Sequence, residues 1–309
     1  MYKLPTENLY CNIKKIFLYT FLILISFNNF SLSDLSEDAV DELILKAEEN
    51  DINAQVMLHD HYYDLEKYEE ALFWAREAAK LGDAFAQNNL GFMYDNGLGT
   101  EENKKLAYQW FLKASEQNQV NALTTIASYY LNGDVVSQNY VKAFKFYKKA
   151  ANMRFEDSAW FKIFSDYEII WKNNQSRAIY ALGLMHEKGQ GTRYNYERAK
   201  EFYLKADEYG HEISKLRYDA LEGDALKAAT LASYYFDGSK IDIGIPIDLA
   251  EAAFWFKVAT YKGYNPYPEK SKEVNEKMTE TEMNKAFDRF VVWKKELGFE
   301  HDKETLLDI

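Results

Sequence analysis

Five histidines, 49 acidic side chains and a single cysteine are the groups on which catalysis or metal binding would have to be built. Their spacing argues against both. His59 and His61 are two residues apart, about 200° round a helix, and so cannot chelate one metal as an i, i+4 pair would. His59 falls at a tight packing position and reads as a satisfied interior histidine. His186 replaces a recurring tyrosine, which again implies packing, and His211 and His301 are isolated. The acid pair Glu101-Glu102 lies in a turn, where solvation accounts for it. No G-x-S-x-G, H-E-x-x-H or P-loop string is present. The segments Gly97-Leu98-Gly99 and Gly189-Gln190-Gly191 look like phosphate cradles only superficially, because they follow helices rather than strands and recur. The expectation is a protein without catalytic residues, cofactor or metal.

These residues sit within a repeating frame. In AQNNLGFMYDNGLGT, from Ala86 to Thr100, a small residue is followed four positions on by Leu-Gly, then by Tyr and by Gly-x-Gly, with KKLAYQWFLKAS close behind. This reads as two helices joined by a glycine turn. Ile126, Ala127, Tyr130 and Gly133 stand 36 residues after Leu90, Gly91, Tyr94 and Gly97, and Ala143, Phe146, Tyr147 and Ala150 stand 36 after Ala107, Trp110, Phe111 and Ala114. The pattern returns 92 residues after its first strong copy, at Leu182-Gly183, Ala199, Tyr203 and Ala206. A first copy from Ala54 has a turn four residues shorter, and a last copy around Leu231-Ala232 has a loop four residues longer. Such periods belong to helical solenoids, in which each hairpin stacks on its neighbours. Leu-Gly lets the two helices of a hairpin approach, and small residues such as Ala107 and Ala114 let the second helix nest.

The predicted organisation is a leader over 1–33, a capping helix over 34–52 started by Ser36, a solenoid over 53–263 and a closing cap over 264–309. Helical insertions are expected near 158–175 and 211–223. In the first, Trp160, Ile163, Phe164, Tyr167 and Trp171 share a helical face, read as packing rather than a ligand groove. Thr279 with Glu282 forms a capping box for a last helix whose expected apolar face is Met283, Phe287, Phe290 and Val291. In the leader, Lys14 and Lys15 precede the apolar run from Ile16 to Phe27, and Ser31-Leu32-Ser33 offers small residues for cleavage. A cleaved signal places the protein in the periplasm or outside the cell; an uncleaved anchor is the alternative. Cleavage near Ser33 would remove Cys11, and with it any disulfide or thiolate site.

The chain of 309 residues is 47% hydrophobic, enough for a continuous core, and its net charge is −12. That charge repels phosphate backbones and anionic bilayers and suits a basic protein partner.

The motif A-x-x-x-L-G-x-x-Y-x-x-G-x-G…A-x-x-W-[FY]-x-x-A resembles the Sel1-like repeat family, related to tetratricopeptide repeats, from about Ala54 to Gly263. The chain departs from it where His59 holds a Leu-Gly glycine position and Val135 a turn-glycine position. The resemblance implies an all-α, right-handed α/α solenoid acting as an adaptor, with ligands on the inner face formed by the first helix of each hairpin. Carried over, that face comprises Asp60, Tyr63 and Asp64, then Phe92, Asp95 and Asn96, then Ser128, Leu131 and Asn132, then Leu184, Glu187 and Lys188, and finally Ser233, Phe236 and Asp237. Five acids and one base, with aromatics between them, would suit Arg- or Lys-bearing segments; simple solvation of an acidic surface is the bland alternative. Exported relatives of this kind include immunity proteins that occlude a secreted antibacterial effector, such as a lipase. An envelope adaptor or virulence-associated scaffold is the rival reading. A β-lactam hydrolase-like activity has less support, since the paired cysteines of such relatives have no counterpart here.

Overall fold

The computed structural model describes residues 35–154, 168–238 and 247–298, and among them every regular element is helical. The chain divides between Gln117 and Asn118 into two compact units.

The first unit contains α1 (Glu37–Glu48), α2 (Ile52–Asp64), α3 (Tyr68–Lys80), α4 (Ala84–Asn96) and α5 (Lys104–Glu116), each packed on the next. Ser36 caps α1 by accepting a hydrogen bond from the Ala39 amide, and Leu43 and Ala47 bury themselves against Ala54, Leu58 and Trp74. The hairpin α2–α3 turns in three residues, Leu65–Lys67, whereas α4–α5 uses seven, Gly97–Asn103. The expected close approach is present: a Cβ on Gly91 would stand 2.9 Å from the Phe111 ring. The second turn glycine has a further role. Gly99 has φ +67°, and a Cβ there would lie 2.2 Å from the Tyr68 carbonyl oxygen, so this turn wedges against the start of the preceding hairpin's second helix.

The second unit contains α6 (Val120–Asn132), α7 (Tyr140–Ala151), α8 (Glu168–Lys188), α9 (Tyr196–Glu208), α10 (Ser214–Leu221), α11 (Ala225–Asp237), α12 (Leu249–Tyr261), α13 (Pro268–Lys277) and α14 (Glu280–Glu296). Gly183 meets Tyr203, and Gly191 meets the Tyr140 carbonyl, as Gly91 and Gly99 do in the first unit. The end of the first insertion is not a separate helix: α8 runs through it, with Trp171 half-buried against the core of Ala178, Ile179 and Leu182. Trp160, Ile163, Phe164 and Tyr167 lie outside the described residues. The second insertion is α10.

A regularity hidden from hydrophobic patterning is the cap. Asp51, Asp83, Gln119 and Asp224 start first helices, and Asn103, Asn139, Asn195 and Asp248 start second helices, each side chain accepting from a backbone amide one turn in. The Thr279–Glu282 capping box is formed. Of the four residues expected on the buried face of α14, however, only Phe290 is buried. Ala286, Arg289, Phe290 and Trp293 point inward, while Met283, Phe287 and Val291 are 40%, 45% and 43% exposed. The inward stripe is rotated because Arg289 is drawn to buried carboxylates, described below.

Candidate protein-binding surface

In the first unit the expected inner-face residues come from the last turns of α2 and α4. His59 is buried, and its Nδ1 lies 3.0 Å from the Ala71 carbonyl oxygen; burial pushes its pKa down, so the ring is a neutral packing element. Asp60 follows it, with 35% of its side chain exposed. Its carboxyl is pushed up to about 7, first by burial and then by the neighbouring charge of Asp64. Tyr63 meets Tyr68 edge-on at 5.6 Å and Phe92 at 6.5 Å between ring centroids. Phe92 is 43% exposed, Asp64 and Asn96 are exposed, and Asp95 is half-buried. Asp60, Tyr63, Asp64 and Phe92 thus form one acidic, aromatic surface.

In the second unit the expected positions part company. Leu131, Asn132, Leu184 and Lys188 are brought together around a hollow of about 380 Å³, with Gln138 and Tyr140. Ser128 is half-buried and hydrogen-bonded to Tyr147. Ser233, Phe236 and Asp237 are already occupied by the chain itself. Lys270 of α13 pairs with Asp237 and donates to the Ser233 hydroxyl at 3.1 Å, while Lys270 and Lys277 stand 5.9 and 5.3 Å from the Phe236 ring centroid.

Glu187 is the clear correction. It is fully buried and presents nothing to a partner. Arg217 of α10 grips it with two nitrogens, at 2.7 and 3.0 Å, and Arg289 of α14 also binds it. Both arginines bind Glu251 of α12 as well, Arg217 at 2.8 Å, and Lys188 reaches Glu251 at 2.9 Å. The hydroxyls of Tyr203 and Tyr235 complete the shell, the first donating to Glu187 and the second accepting from Arg217 at 2.6 Å. Burial alone would push both carboxyls up; the cations overcome it and hold Glu187 below, and Glu251 well below, the ordinary glutamate value. Lys188, expected on the groove, is therefore committed to this network. Sequence reasoning missed Arg217, Glu251 and Arg289. The available signal was a charge set among apolar residues, alone in LAEAAFWF around Glu251 and beside Asp288 in FDRFVVW around Arg289.

His186 and His211 also pack, and His301 lies outside the described residues. His186 stacks on Phe202 with centroids 5.4 Å apart, and His211 stacks on Tyr180 at 4.1 Å. Burial, then Arg177, pushes His211 down to about 4. Among the described residues no three His, Cys, Asp or Glu side chains converge to hold a metal ion, and no helix is long and apolar enough to cross a membrane.

The family described as Sel1 repeat matches residues 61–83, 84–119, 122–155, 176–206 and 228–264, over half the chain. The chitin synthase regulator SKT5 of Malassezia restricta is 25% identical over 58% of this chain and 11% of its own length. The ERAD-associated E3 ubiquitin-protein ligase component HRD3 of Candida glabrata is 24% identical over 59% of this chain and 18% of its own. The chain therefore spans less than a fifth of the length of these curated relatives. Among solved structures, the protective antigen c5321 of uropathogenic Escherichia coli is 19% identical, with a TM-score of 0.39 over 84% of this chain and 72% of that one. A sel1 repeat protein of Klebsiella pneumoniae is 18% identical, with a TM-score of 0.42 over 76% of this chain and 99% of that one.

Proposed function

The chain belongs to the Sel1 repeat family, and from that premise we propose that it works by stoichiometric binding of a basic protein segment on the acidic, aromatic surface of its first unit. One observation carries this reading. Ser233, Phe236 and Asp237 hold lysines of α13, and Asp60, Tyr63 and Asp64 occupy the same positions relative to their own Leu58 as those three do to Leu231. The aromatic face and the carboxylate one residue on are conserved in type between the two sites. At the first, a lysine or arginine from another protein would take the place that α13 takes at the second.

The leader and the family resemblance give this binding a specific setting: an exported, periplasmic immunity protein that occludes a secreted antibacterial effector, a lipase being the example the resemblance supplies. The names of the curated relatives, a regulator and a ligase component, favour a second reading as an adaptor within a larger assembly. Capture from the envelope fraction, followed by titration of the purified recovered protein, tests these ideas. The immunity reading expects one basic protein bound one to one with nanomolar affinity, and protection of cells that make it. Binding should weaken at least about tenfold in Asp64→Lys with Asp95→Lys, with circular dichroism unchanged. Several weak partners would favour the adaptor, and full affinity in the variant would sink groove recognition altogether.

A further inference from the structure

Residues 118–154 carry a charge opposite in sign to that of the chain as a whole. They carry Lys142, Lys145, Lys148, Lys149 and Arg154 against a single acid, Asp134, so this stretch is +4 while the remainder is −16. Four of these cations lie on α7, which has no acid at all. The helix buries Ala143, Tyr147, Ala150 and Ala151. Lys145, Lys148, Lys149 and Asn152, spaced i, i+3, i+4 and i+7, therefore share its outward face, and all four are exposed. Lys142 is turned onto the Tyr130 ring, 4.9 Å from the centroid. The other three lysines and Asn152, with Asn118 and Met153, line an open hollow of about 630 Å³.

We propose that this lysine-lined hollow is a second interaction surface, which seats a short acidic segment of a protein partner carrying an aliphatic side chain. The chemistry of the lining selects this occupant. Lysines are compact, separately mobile point charges that match the scattered carboxylates of an acidic segment, and the hollow has no arginine to impose a planar, two-pronged grip. The amides of Asn118 and Asn152 can each donate to and accept from the peptide groups of an irregular segment, and Met153 offers an adaptable apolar contact. Size argues the same way. The island is one helix of twelve residues, about 18 Å long. Charges more than about 8 Å away are screened in physiological salt, so the island acts on a short ligand. The inference uses none of the groove residues and does not depend on the function proposed for them.

The test uses the full chain and a labelled peptide rich in Asp and Glu with two Leu residues, read by fluorescence anisotropy. Single-stranded oligodeoxythymidylate and phosphatidylglycerol vesicles are run beside it. The peptide should bind and weaken as salt rises. It should lose about tenfold in affinity in Lys145→Glu with Lys148→Glu, and should be indifferent to Asp60→Lys with Asp64→Lys. If the charge reversal disturbs folding, Lys145→Gln with Lys148→Gln should give a smaller loss in the same direction. Undiminished peptide binding in the folded lysine variants overturns the proposal, as does binding of the oligonucleotide or the vesicles but not the peptide.

Discussion

Asp60 is the groove residue whose charge depends most on conditions. Its carboxyl is pushed up to about 7 from 3.8, so its ionised form is disfavoured in the folded chain. The sign follows: its cost is absent below pH 3.8, grows as pH rises from there, and levels off above pH 7. Asp60→Asn should therefore be more stable than the parent at pH 8, by a margin that shrinks toward pH 4, as urea unfolding at a series of pH values would record. Binding has the opposite dependence, because only the carboxylate attracts a cation. Affinity for a lysine-bearing segment should rise several-fold from pH 6 to pH 8 in the parent, and the Asn variant should show little of that rise. At the turns, the wedge of Gly99 against the Tyr68 carbonyl leaves no room for a side chain and holds φ at +67°. Gly99→Ala should cost about 2–3 kcal/mol in a denaturant melt, more than alanine substitution at Gly82, which also has positive φ but has nothing within 4 Å.

At the scale of elements, the buried charges join four helices that are not consecutive: α8 through Glu187, α10 through Arg217, α12 through Glu251 and α14 through Arg289. Removing one partner leaves another charge buried and uncompensated. Arg217→Met should therefore destabilise the second unit by about 3–5 kcal/mol in chemical denaturation. Replacing Glu187 and Arg217 together with well-packed apolar residues should cost less than the sum of the single changes. This network also marks where the sequence stops being legible. Leu-Gly, the alanines and the turn glycines could be read because each meets a local packing demand that recurs at a fixed spacing. Glu187 could not be read in this way. It occupies a groove position in the register, and the arginines that pull it inward stand 30 and 102 residues away. The same pull explains why Met283, Phe287 and Val291 face outward: a helix cannot bury both Arg289 and a stripe on its opposite side. The seating of α13 on Ser233, Phe236 and Asp237 was equally hidden, since Lys270 lies 33 residues from Asp237.

For the whole molecule, acid acts on the two units in opposite directions. Glu187 and Glu251 are held below the ordinary value of 4.5, so their contribution is complete above that pH and is lost as pH falls through their lowered values. Asp60, whose ionised form is strained, is relieved over the acid range. Hydrogen exchange followed from pH 7 to well below pH 4, corrected for the intrinsic rate, should show protection falling in α8, α10, α12 and α14 while α2 to α5 keep theirs; uniform loss would contradict this division. A stacked array held only by contacts between neighbours can gain or lose a unit at any joint, because each joint is self-contained. Here the span from Glu187 to Arg289 is not divisible in that way. A duplication or deletion inside it would strand at least one charge from its counterpart, and a chain ending before Arg289 would leave two glutamates sharing fewer cations. Copy number can therefore drift freely only outside this block, so in descendants of this gene hairpins beyond it should vary in number while the block from Glu187 to Arg289 is inherited whole.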